Sequence, residues 1–251
     1  PMSATAPATL KRLSPEQHAR FDQDGFLLIK GLAGPADIQA IAREIDGLHE
    51  QMALAEPDGV GVSWEKADPG RPQRIRQLMH SEAVSPGLNT LLRCPDVLDI
   101  VEDLIGSKIA LFHSKLLMKA ARDGSVTPWH QDFAYWSKEG NRPVQVNLML
   151  AIDPATHANG CIQFVPGSHK NGLSEHERRK GMSFGVFLPG YFQPREGSVA
   201  IEMEPGDAVF FGSLVIHGSA GNTSDHDRRA NTFAYTTTGD HTAHFREMLR
   251  Q

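Results

Sequence analysis

From Lys108 to Thr237 the chain breaks into short β-rich runs separated by turn residues, and this pattern narrows the possible folds more than any other feature. The runs are Lys108 to Lys119, Val144 to Ile152, Cys161 to Val165, Ser198 to Glu202, Asp207 to Phe211 and Ala230 to Thr237. Between them lie Asn159-Gly160, Pro166-Gly167 and Pro205-Gly206-Asp207, which supply the backbone angles of tight turns. Many short strands punctuated in this way suit an antiparallel sandwich or barrel, not a parallel sheet whose strands alternate with helices. The sequence carries no internal repeat.

The first hundred residues differ. Ser14-Pro15-Glu16-Gln17 predicts a helix start, with Ser14 as cap and Gln17 reaching back, and Gly25 predicts its end. A short strand is expected from Phe26 to Lys30. A second helix is expected from Pro35 to about Met52, with Ile38, Ile41, Ile45 and Leu48 on one stripe. Ala55 to Pro72 has little periodicity and predicts a long loop. Ser85-Pro86 and Cys94-Pro95 open two more helices. The expected layout is therefore mainly β with N-terminal helices: helical additions to about residue 106, then a β core.

Pro1 before Met2 reads as an expression scar, and residues 1–12 as a flexible tail. Residues 13–251 are then one domain. The net charge is −5 and no Lys/Arg block stands out, so no nucleic-acid partner is expected. No apolar run approaches a membrane span, so no membrane partner is expected either. Cys94 and Cys161 suggest neither a zinc site nor a disulfide framework. Together these features lead us to expect a cytoplasmic protein. Nothing in the sequence sets an oligomeric state.

Trp129-His130-Gln131-Asp132 places a histidine and a carboxylate two residues apart. On a strand both point to one side and can grip one ion. His217 ends the apolar run Phe210 to Ile216 and can supply a third ligand from across the barrel. Two histidines and one carboxylate on one face leave three positions open, which suits iron(II) binding a cosubstrate and O2 together. Alone, the pair is weak evidence, because twelve histidines and thirty acids make chance pairs common. His157, His176, His226, His241 and His244 read as solvent-facing.

Arg228, eleven residues after His217, strengthens the reading. A dicarboxylate cosubstrate needs a fixed cation at its far end, and arginine binds a carboxylate with two parallel hydrogen bonds. Turn residues between them let Arg228 open a strand beside the metal. A cupin-like isomerase or ligand-binding module has no use for Arg228, and stays the competing class.

These pieces occur in order with Asn159-Gly160-Cys161, Pro166-Gly167-Ser168-His169, Pro205-Gly206-Asp207, His217-Gly218-Ser219 and Asn222-Thr223-Ser224. Over roughly residues 12 to 240 the chain resembles the phytanoyl-CoA dioxygenase family of Fe(II)/2-oxoglutarate oxygenases. The resemblance implies a double-stranded β-helix (a jelly roll, cupin-like). It implies His130, Asp132 and His217 as iron ligands and catalytic residues. It also implies Arg228 and Ser219 on the far carboxylate of 2-oxoglutarate, and a small-molecule substrate. Trp136 resembles a substrate-lining aromatic, and Asn147 a cosubstrate contact, of the ectoine-hydroxylase branch. Leu117 departs from that branch's polar residue. Related halogenases carry Gly or Ala where Asp132 stands, so hydroxylation is the expected outcome. Desaturation, epoxidation and ring closure stay open.

Further substrate contacts are expected from Tyr135, His113, Arg76 and Phe187. His113 reads at least as well as a core histidine, and for Arg76, as for Arg74, an ordinary surface role is favoured over a contact with an acidic substrate. His80 is expected under the long loop. Gly181 to Gly197, with Phe184, Phe187, Tyr191 and Phe192, reads as a lid or as a packed crossover. Pro166 to His169 reads as a structural turn.

Overall fold

A computed structural model of the chain describes residues 9–54, 61–65, 74–137, 142–178, 185–237 and 246–247. Its core is two facing antiparallel sheets. The strands are β1 (Phe26–Ile29), β2 (Val62–Trp64), β3 (Ile75–Met79), β4 (Ile109–Lys119), β5 (Thr127–His130), β6 (Val146–Ala151) and β7 (Gln163–Phe164). They continue with β8 (Glu177–Arg178), β9 (Val186–Phe187), β10 (Val199–Ala200), β11 (Ala208–Gly212), β12 (His217–Ser219), β13 (Arg228–Thr237) and β14 (Arg246–Glu247). The larger sheet runs β1-β11-β6-β13-β4-β3-β2, with β14 also on β4. The smaller runs β10-β7-β12-β5, and β8 pairs with β9. This is the expected jelly roll.

Alternation along the strands gives the larger sheet two apolar faces. Leu148, Leu150, Phe210 and Phe233 point outward into a cluster with the helices. Met149, Ala151, Val209 and Phe211 point inward, onto Ile162 and Phe164 of the smaller-sheet side. An apolar sheet face must be covered, and helices α2 (Pro35–Asp46), α4 (Pro86–Leu91) and α5 (Pro95–Ile105) cover the outer one. Ile38, Ile41 and Ile45 form the α2 stripe.

The first helix, α1 (Pro15–Asp24), carries the expected capping box from Ser14 and Gln17 and ends at Gly25, φ +86°. The expected helix from Pro35 to Met52 is instead two: α2 stops at Asp46, and α3 (Leu48–Leu54) follows Gly47. Glycine is among the poorest helix formers, so the break falls at Gly47. The helices-first layout also needs correction, because β1, β2 and β3 all join the larger sheet. β2 interrupts the span expected as one long loop. The rest of that loop (55–60 and 66–72), residues 1–8 of the expected tail, and Phe184, His241 and His244 lie outside the described residues. The backbone N–H groups of Lys11, Arg12 and Leu13 donate to the Asp103 carboxylate on α5.

Candidate active site

β5 and β12 are neighbours in the smaller sheet, and their register sets His217 directly opposite His130. The ring centroids are 4.2 Å apart. His217 therefore opens a strand beside His130; it does not end the Phe210 run or reach from across the barrel. A turn at Ser213–Ile216 separates β11 from β12. Asp132 also arrives differently than alternation predicts. β5 ends at His130, and Asp132 (φ −57°, ψ −35°) is the N-cap of the short helix α6 (Phe133–Trp136). Phe133 N donates to Ser213 O at 3.0 Å, and this bond pins the bend.

Asp132 Oδ1 lies 3.5 Å from His130 Nε2, and Oδ2 lies 3.7 Å from His217 Nε2. All three residues are buried, and their ligand atoms lie within 4.8 Å of one another. His130 Nδ1 bonds to Pro128 O at 2.8 Å and His217 Nδ1 to Val215 O at 3.0 Å. A carbonyl only accepts, so each Nδ1 carries a proton, and Nε2 is the ring atom left to face a metal at the shared point. Burial, then the neighbouring His130, pushes His217 down to about 4, so it is neutral at pH 7. Burial opposes ionisation of Asp132, but attraction to His217 and His130 whenever those rings carry an extra proton outweighs it, so the carboxyl is held below the usual carboxylate range. Two imidazole nitrogens and one carboxylate gathered at one point are a donor set that fits iron(II).

Residues behind the triad fix it. Asn147 Nδ2 donates to Asp132 Oδ2 at 2.9 Å. Gln131, fully buried, donates from Nε2 to Gly172 O at 2.8 Å and Leu214 O at 2.6 Å, and accepts from Ser174 N at 2.8 Å. His176 is not simply solvent-facing: its Nε2 accepts from Gln131 N at 3.1 Å. Ser168 Oγ accepts from Ile216 N at 2.9 Å, so the Pro166–His169 turn braces the entry to His217.

A cavity of about 80 Å3 holds the triad, Ser219 and Arg228 together. Arg228 is the first residue of β13 and 4% exposed. Its Nη2 donates to Gly160 O at 2.8 Å, and its Nε is buried without a partner. Burial lowers its pKa to about 10, which leaves it a cation at neutral pH. Lys119 faces it across the β4–β13 ladder and donates from Nζ to Ala220 O at 2.8 Å and to Ser125 O. Burial first, then Arg228, lowers the Lys119 pKa.

Arg76 and Leu117 also line the cavity. Trp136, Tyr135, His113 and Phe187 are not on its wall. Trp136 packs in a buried cluster, 4.9 Å from Phe112 and 5.4 Å from His113 by ring centroids. Tyr135 meets His130 edge to face at 5.9 Å and donates to Val186 O at 2.8 Å. Phe187 meets Tyr191 edge to face at 5.6 Å. His80 precedes the short 3-10 helix Ser81–Ala83 and is not on the wall. Sequence reasoning missed Glu65, Lys115, Lys119 and Thr232, which are on it. Period-2 alternation along the strand that carries His113 also selects Lys115 and Lys119.

An enzyme that spends 2-oxoglutarate and O2 needs a metal held from one side and a cation beyond it. This chain is such a 2-oxoglutarate-dependent non-haem iron oxygenase. The family described as Phytanoyl-CoA dioxygenase (PhyH) matches residues 21–230. A probable phytanoyl-CoA dioxygenase of Caenorhabditis elegans is 30% identical, over 89% of this chain and 75% of its own. An L-proline trans-4-hydroxylase of Streptomyces griseoviridis is 26% identical, over 97% of this chain and 91% of its own. EctD from S. alaskensis, solved with 2-oxoglutarate and 5-hydroxyectoine, shares the fold at a TM-score of 0.72 and 22% identity, over 91% of this chain and 77% of its own. The chain belongs to the phytanoyl-CoA dioxygenase family. Among its described residues no helix is long and apolar enough to cross a membrane.

Proposed function

We propose that the chain hydroxylates an unactivated C–H bond of a small or medium metabolite or natural-product intermediate, consuming 2-oxoglutarate and O2 and releasing succinate and CO2. His130, Asp132 and His217 hold the iron(II). Bound there, iron supplies oxygen activation coupled to 2-oxoglutarate decarboxylation. Arg228 takes the far carboxylate of 2-oxoglutarate. Ser219, two residues beyond His217 and 5% exposed, adds its hydroxyl on the same wall. Leu117, Met149, Ile162 and Phe211 keep the space between apolar, which strengthens each charge contact by excluding water. Asp132 fills the position that must be vacant to admit a halide, which favours hydroxylation over halogenation.

The observation that carries this reading is the unpartnered Nε of Arg228, buried in the same cavity as the triad. An isolated buried N–H costs roughly 1–3 kcal/mol, and a carboxylate acceptor relieves that cost. The sequence has no Lys/Arg block to neutralise phosphates, which supports a small-molecule substrate over a nucleic-acid or membrane partner, and the proposed location is the cytoplasm. The test is an anaerobic titration. A visible charge-transfer band should appear only when iron(II) and 2-oxoglutarate are both present, and D132A should abolish both the band and succinate release. Near-wild-type turnover by D132A would remove the triad assignment.

A further inference from the structure

We propose that Lys115 and Thr232 form an anion subsite beside the metal triad, and that the substrate carries a carboxylate which they hold. This rests on the oxygenase reading and names the substrate class for the same cavity.

Lys115 lies on the face of β4 that also carries Leu117 and Lys119, and it lines the cavity. The register sets it opposite Thr232 on β13 and Met79 on β3. Among the described residues its ammonium makes neither a hydrogen bond nor an ion pair. Thr232 is 3% exposed, and its Oγ1 is buried with no hydrogen-bond partner. A spare ammonium and a spare hydroxyl, directly opposed across one ladder, are the donors that a carboxylate accepts from. The other cations of the wall are engaged. Arg228 donates to Gly160 O, Lys119 to two carbonyls, and Arg76 to Val126 O with Glu65 close by.

Charge balance points the same way. Leaving aside Lys119, whose pKa burial lowers, the wall carries three cationic side chains, Arg76, Lys115 and Arg228, against two carboxylates, Glu65 and Asp132. Iron(II) and the 2-oxoglutarate dianion cancel each other, so the loaded site keeps its positive excess. A carboxylate on the substrate offsets it.

Position along the sheet separates this subsite from the cosubstrate's far end. Thr232 lies four residues from Arg228 on β13, roughly 14 Å along the strand. Asn147, which holds Asp132, pairs with Ala234, the next residue on the same face as Thr232. Lys115 also acts electrostatically on Asp132 and His217. The subsite is thus at the end of the cavity where His130, Asp132 and His217 would hold the metal, away from Arg228. A carboxylate there puts the reacting carbon a few bonds from the acid. The class is therefore a small carboxylic acid, amino acids included, and not a long acyl chain reacting far from its acid end.

The experiment uses zinc(II)-loaded protein with N-oxalylglycine in the cosubstrate place. Ligand-observed NMR measures binding of matched pairs: L-proline and L-prolinamide, benzoate and benzamide, hexanoate and hexanamide. We expect at least one acid to bind more tightly than its amide. K115M should weaken that acid about 10- to 100-fold, and T232V about 2- to 10-fold. K115R should restore most of the binding. N-oxalylglycine affinity should stay within about twofold, and the urea midpoint of K115R serves as the folding control. Three results overturn the subsite: no acid preferred over its amide, K115M binding acids as the wild type does, or K115M weakening N-oxalylglycine by the same factor. Failure of the zinc(II) wild type to bind N-oxalylglycine at all would overturn the oxygenase reading itself.

Discussion

Asn147 donates from Nδ2 to Asp132 Oδ2 at 2.9 Å, and it does so from a fully buried position on β6. That bond fixes the rotation of the only carboxylate in the triad. Partners behind a metal ligand typically contribute 10- to 100-fold in metal affinity, by roughly holding the ligand in the binding geometry. We expect N147L to weaken iron(II) binding by about that factor in an anaerobic titration. The urea midpoint should fall as well, because a buried carboxylate oxygen loses its donor. Unchanged iron affinity would show that the two histidines alone orient Asp132.

Arg228 has a spare buried Nε in the cavity and a carbonyl on its Nη2. Removing a charge-assisted contact of ~1.5–3 kcal/mol raises a dissociation constant roughly 10- to 150-fold. R228A should raise the 2-oxoglutarate requirement by that factor, read from the anaerobic visible band. Binding of 2-oxobutyrate, which has no far carboxylate, should change little. An equal loss for both keto acids would assign Arg228 a purely structural role.

The β core was legible because its turns are chemically specific. Asn159-Gly160 and Pro205-Gly206 mark chain reversals that few other residues allow, and Gly160 and Gly206 both have positive φ. β3 was not legible because its buried residues, Ile75 and Leu78, are three apart and break period 2. β5 and β12 are three or four residues long and contain Pro128 and Gly218, which do not favour strands. His130 and His217 could thus be named while their direct pairing could not. Asp132 was identified for a geometry it does not have, because the local pattern gives no sign that α6 starts at Phe133. Lys115 was overlooked because a strand lysine normally faces water. Here helices cover the outer face of β4 and the smaller sheet covers the inner one, so its charge faces the cavity.

His113 carries the acid sensitivity of the β4–β13 ladder. Burial, then Lys115, pushes it down to about 3, so the folded protein keeps it neutral through mildly acidic pH. In the unfolded chain a histidine protonates near ~6.5. Between these values the unfolded state binds the extra proton, so stability falls as pH drops below about 6.5 and recovers as pH rises. From pH 7 to 5 this one group should remove about 2 kcal/mol. H113Q should therefore lose less stability than the wild type over that interval, measured as the change in urea-unfolding free energy. Identical pH slopes would mean that His113 titrates in the folded state.

Gly160 ties the fold to the cavity wall that carries Arg228. Its φ is +77°, and a Cβ there would meet Ala220 O at 2.4 Å. Its own carbonyl accepts the hydrogen bond from Arg228. G160A thus combines a left-handed angle, which costs an L-residue roughly 1–2 kcal/mol, with a backbone clash that no side-chain rotation relieves. Gly190 is the natural control: its φ is +90°, but nothing lies within 4 Å of its Cβ position. G190A should show only the conformational cost. G160A should lose at least ~2 kcal/mol by urea unfolding at unchanged slope, and should weaken 2-oxoglutarate binding as the Arg228 anchor shifts. Equal losses for the two variants would mean that the Ala220 segment yields, and that Gly160 matters only for its turn.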